Sequence, residues 1–135
     1  MKFPYIILLA TVLFAACVFT AAQTPQSSKP APKYDTATEV TLKGVIAETT
    51  DRICPVSGGL GFHFMLKQAD GKLIQVHVST TKFVKDYELS LKRGDDVKVV
   101  GSKVQMDGVD TILAREVVRG NETLAFRDKD GKPAW

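Results

Sequence analysis

Two histidines, His63 and His77, and two cysteines, Cys17 and Cys54, are the side chains of this 135-residue chain whose chemistry best suits metal binding or nucleophilic attack. The histidines lie in two stretches of alternating apolar residues, Phe62, Phe64, Leu66 and Ile74, Val76, Val78, on either side of Ala69-Asp70-Gly71. Alternation is the period of a half-buried strand, and two such runs around Gly-containing turn residues form a hairpin. A two-residue Asp70-Gly71 turn would pair Phe64 with His77 and mix apolar with polar side chains on both faces. A three-residue loop with Gly71 in the left-handed conformation shifts the register by one and gathers all the apolar residues on one face. That register is expected. It sets His63 directly opposite His77, and Met65 opposite Gln75, on the outer face.

Opposed side chains on adjacent strands have Cβ atoms about 5 Å apart, close enough for two imidazoles to share a metal ion. Met65 would bias such a site toward a soft ion such as copper(I), with zinc the other candidate. A metal site wants a third or fourth ligand, and Cys54, in the segment entering the hairpin, is the soft donor available; its position is not fixed by the sequence. The alternative is that His63, His77 and Gln75 merely form a solvated face. If a metal binds, it requires neutral imidazoles, so affinity is expected to weaken as pH falls through about 6.5.

Cys54 is followed by Pro55 and Ser57-Gly58-Gly59. A reactive thiol forming mixed disulfides or dimers, a nucleophile beside His63 or His77, and an inert cysteine packed beside Ile53 all fit these residue types. No family signature of a cysteine enzyme surrounds it. The chain is therefore expected to be non-catalytic, with a thiol-dependent redox protein or enzyme using Cys54 as the alternative.

The N-terminus decides where this chemistry takes place. Lys2 precedes an apolar run from Phe3 to Phe19 that ends in Thr20-Ala21-Ala22, the pattern of an export signal cut after residue 22. Two alternatives remain open: an uncleaved membrane anchor, and a lipobox at Leu13-Phe14-Ala15-Ala16-Cys17 that would lipidate Cys17. A periplasmic or secreted protein is expected, and contact with a membrane only through one of those alternatives. Loss of residues 1–22, which hold one lysine and no acid, lowers the formal charge from +3 to +2, a weakly basic balance rather than a nucleic-acid footprint. It also removes Cys17 and leaves no intramolecular disulfide. Residues 23–33 carry Pro25, Pro30 and Pro32 among small and polar residues and read as a flexible linker.

One domain is expected over residues 34–127, with 128–135 as a polar tail. Val40, Leu42 and Ile46 alternate around Gly44, which permits a bend. Residues 49–59 lack periodicity and read as a loop. Phe83, Val84 and Tyr87 fall at helical spacing within Thr80–Glu88, with Ser79, Thr80 or Thr81 as cap. Val97 and Val99, a bend at Gly101, Val104 and Met106, the Asp107-Gly108 turn and Val109–Val118 form a second hairpin, and a last short strand runs through Leu124 and Phe126. Long bent strand, hairpin, short helix, hairpin is the order of a five-stranded antiparallel Greek-key barrel of the OB type.

Val40–Ile46, Gly61–Ser79, Leu91–Gly101 with its Arg93-Gly94-Asp95-x-Val97 turn, and Ala114-Arg115-Glu116-Val117 resemble the small exported OB-fold proteins of bacterial envelopes. These include stress-associated periplasmic OB proteins and a domain of magnetosome proteins. The resemblance implies an envelope binding or accessory module for a small ligand, a metal or a protein partner, and it brings no catalytic residues. Nucleic-acid binding, common among OB-folds, is not expected: Phe62 and Phe64, the aromatics that would stack on bases, belong to the core.

Overall fold

The structure, a computed structural model, describes residues 29–135. The export signal, the lipobox at Cys17 and the start of the linker lie outside the described residues. Strand β1 (Glu39–Cys54) follows a short 3-10 turn, then come β2 (Gly59–Lys67), β3 (Leu73–Thr80), helix α1 (Thr81–Asp86), β4 (Asp96–Met106), β5 (Val109–Arg119) and β6 (Glu122–Ala125). The strand order is β3-β2-β1-β4-β5-β6, and a further β3–β5 pairing closes the ring of the first five. This is the expected OB topology. The closing contact is parallel, Gln75–His77 against Thr111–Leu113, while every other pairing is antiparallel.

β1 serves two neighbours: residues 39–45 pair with β4 and residues 45–54 with β2. Glycine permits the crowding where it bends, because a Cβ at Gly44 would run into the carbonyl of Lys67, and one at Gly101 of β4 into that of Leu113. The expected loop over residues 49–59 is corrected here. Thr49–Cys54 continues β1 and pairs with Gly59–Phe64, leaving a tight turn of four residues from Pro55 to Gly58. Most of this stretch is exposed, so backbone bonds to β2 hold it extended, and no burial pattern announces it.

The β2–β3 hairpin has the expected register. Gln68 N–H donates to Lys72 O, Gly71 lies at φ +83, Phe64 faces Val76 and Met65 faces Gln75. Next to the His63–His77 pair, Val78 forms a bulge, so Phe62 pairs with Ser79. Phe64, Leu66, Val76 and Val78 join Ile46, Val99, Ile112, Val117 and Phe126 in the core, with Phe62 and Ile74 packed against it. α1 is shorter than expected; Thr80 caps it, its hydroxyl accepting from Phe83 N–H at 3.1 Å.

Residues 128–135 are polar in composition but fold back. Asp128 N–H donates to Lys132 O, Ala134 N–H donates to Phe126 O, and Arg127 bridges to Pro133. This return delivers Trp135 onto the barrel, its ring 4.7 Å from the Arg127 guanidinium, 6.2 Å from Phe83 and 6.0 Å from His77.

Candidate metal centre

His63 and His77 stand opposite each other as expected, with ring centroids 4.9 Å apart and nearly perpendicular. The expectation that they face solvent is corrected: His63 is 2 % exposed and His77 fully buried. An OB hairpin buries one face in the barrel, and here other parts of the chain cover the second face too. The Pro55–Gly58 turn lays Ser57 on His77, with Oγ and Nε2 2.7 Å apart, and the returning C-terminus brings up Trp135.

Cys54, at the end of β1, joins them. Its thiol and one nitrogen from each ring lie within 4.8 Å of one another, and all three residues are buried. Cys54 reaches this place because β1 runs on as a strand and pairs Cys54 with Gly59, two residues before Gly61. A side chain at Gly61 would collide with Ser57 Oγ and come within 3.1 Å of His63 Cε1 and 3.3 Å of Cys54 Cβ. Glycine at this position is what lets turn, thiol and imidazole close together.

Met65 occupies its expected place beside Gln75 and is half-buried. The sulfur in contact with the cluster is another one: Met106, at the end of β4, has its Sδ 3.9 Å from Cys54 Sγ and is 5 % exposed. From the sequence, Met106 is expected only as a residue of the second hairpin. Its alternation within β4 signals burial, but nothing in the linear pattern links the β4–β5 turn to Cys54.

Hydrogen bonding leaves donor atoms free. His63 Nδ1–H donates to Gly61 O at 3.0 Å, so Nε2 carries the lone pair, and that atom is buried without a hydrogen-bond partner among the described residues. His77 Nδ1 is likewise buried and unpartnered. An orphaned N–H is the rarer burial, which favours the tautomer in which Nε2–H donates to Ser57 Oγ and Nδ1 keeps its lone pair. Each ring is thus held through one nitrogen while the other is unused, the arrangement of a metal-ligating histidine.

Both rings are neutral. Burial, with the positive charge of Arg52 added, lowers the His63 pKa to about 4; burial, with repulsion from His63 and Arg127, lowers that of His77 to about 3. The expected weakening of metal binding through pH 6.5 is therefore corrected for the imidazoles, because proton competition at the rings begins only near pH 4.

On the sulfur side, a cavity of ≈ 560 Å³ lined by Ile53, Cys54, Pro55, Gly59, Met106 and Gly108 leads outward. Ile53 and Val109 are exposed beside this end of the barrel.

These features define an OB-fold protein with a buried thiol–imidazole cluster at the base of its β2–β3 hairpin. Residues 38–124 match the MamS/MamX magnetosome protein family, and the chain belongs to that family. This is the magnetosome group among the families that the sequence resembles. No curated protein matches the sequence. Among solved structures, the small single-stranded DNA-binding protein from Streptomyces coelicolor is similar, with 16% identity over 67% of this chain and 97% of that chain and a TM-score of 0.49.

Proposed function

We propose that this protein is a non-catalytic, exported accessory module that binds copper(I) through Cys54, His63 and His77. The observation that carries the reading is the convergence of one thiol and two imidazoles, each ring with a buried, unpartnered nitrogen. Thiolate and neutral imidazole are donors for copper(I) and zinc, and the adjoining thioether of Met106 favours the softer ion. Charge points the same way. One thiolate and two neutral rings with a monovalent ion make a neutral site, whereas a divalent ion leaves a net positive charge among Arg52 and Arg127, whose fields already reach the rings. Membership of a magnetosome family supports an accessory role, and the apolar N-terminal run supports export.

Anaerobic titration of the purified protein with copper(I) against a competing chelator tests this reading. One tightly held copper per chain is expected, with zinc bound more weakly. Cys54→Ser, His63→Ala and His77→Ala should each lower copper(I) affinity at least tenfold. Unchanged affinity in the two histidine variants would refute the proposal.

A further inference from the structure

The donor set supports a second property, which rests on the copper reading. We infer that Met106 is the fourth donor and that the centre is redox-active, cycling copper between its monovalent and divalent states in the manner of a type 1 copper site. Two imidazoles and a thiolate with a weakly held thioether are the ligands that define such centres. Here the four come from three separate stretches: β1 gives Cys54, the β2–β3 hairpin gives both histidines, and β4 gives Met106. The thioether contacts the thiol rather than sitting at random in the core, with sulfur to sulfur 3.9 Å.

The surroundings fit this role. The ligands are buried, so the metal is shielded from bulk water, while Cys54 and Met106 are among the residues that line the cavity beside Ile53 and Pro55. Ser57 and Gly61 each hydrogen-bond one imidazole nitrogen, which restrains the rings in both oxidation states. In the reaction, divalent copper takes one electron from a one-electron reductant and becomes monovalent, and a one-electron oxidant reverses the step. No bond between copper and Cys54 is made or broken, and no proton moves. The positive charges of Arg52 and Arg127 act against the divalent state, so reduction is the easy direction.

The full-length protein is loaded with copper(II), using ascorbate and ferricyanide as reductant and oxidant. An intense visible thiolate-to-copper charge-transfer band is expected, with narrowed copper hyperfine splitting in the electron paramagnetic resonance spectrum. Ascorbate should bleach the band and ferricyanide restore it over repeated cycles, and Cys54→Ser should abolish it. Met106→Leu, close in volume, should still bind copper(I) but shift the reduction potential, because the thioether interacts unequally with the two oxidation states. If copper(I) binds tightly while copper(II) only oxidises the thiol and no band forms, the redox inference is wrong and the copper-binding reading stands. A Met106→Leu protein with an unchanged potential would overturn the role of the thioether. Absence of copper(I) binding would remove the reading beneath both.

Discussion

Metal-free protein should lose stability between about pH 7 and about pH 5, and its two histidines should account for the loss. Both are buried and neutral in the fold, with pKa values lowered from 6.5 to about 4 for His63 and about 3 for His77. In the unfolded chain each regains its ordinary affinity for protons. The unfolded state therefore binds more protons below about pH 6.5, and the stabilisation, fully present above that value, falls away as pH drops toward the folded values. At about pH 5 the folded rings are still neutral and the unfolded ones mostly charged. The loss is then set by the unfolded pKa and amounts to about 2 kcal/mol per ring, or about 4 kcal/mol together. That is a large share of the roughly 5–15 kcal/mol that holds a domain folded. Carboxylates do not confuse this window: Glu39 and Asp95 have pKa values lowered from 4.5 and 3.8, by Arg115 and by the Lys92 backbone respectively, so their contribution is lost only at lower pH. Urea unfolding at the two pH values, with thiol reduced and metals chelated, measures the difference. Replacing both histidines by glutamine should flatten it. A change below about 1 kcal/mol in the native protein would refute the burial of neutral imidazoles.

Gly61→Ala should keep the barrel, seen by circular dichroism, but lower copper(I) affinity by about tenfold or more, because the added Cβ displaces Ser57 and crowds His63 and Cys54. Trp135→Ala should reduce stability by about 2 kcal/mol in urea unfolding, since the indole covers His77 and Phe83 and stacks on Arg127. Mass spectrometry of the exported protein should find Gln23 at its N-terminus; a lipid-modified Cys17 would contradict the expected cleavage.

The β2–β3 register was legible because a strand slipped by one residue turns every side chain to the other face, and one register alone collects Phe62, Phe64, Leu66, Ile74, Val76 and Val78 together. The same reasoning misjudged the histidines' exposure. Alternation shows which residues share a face, but not what lies over it, and the cover comes from Ser57 and Trp135, far apart in sequence. Cys54 was hidden because Thr49–Arg52 show no apolar period; cross-strand hydrogen bonds, which leave no mark on composition, make that stretch a strand. Met106 was hidden by distance, arriving from the end of β4. Trp135 stands alone among polar residues, and a single aromatic side chain carries no periodicity from which its packing could be read.

Anomalous diffraction at the copper edge, from crystals grown with copper(I), locates the ion that Cys54, His63 and His77 are proposed to hold. The predicted result is a single strong peak at the base of the β2–β3 hairpin, about 2.0–2.3 Å from Cys54 Sγ and from one nitrogen of each imidazole. A copper peak elsewhere on the surface, with the thiol and both rings unchanged and unligated, would contradict it.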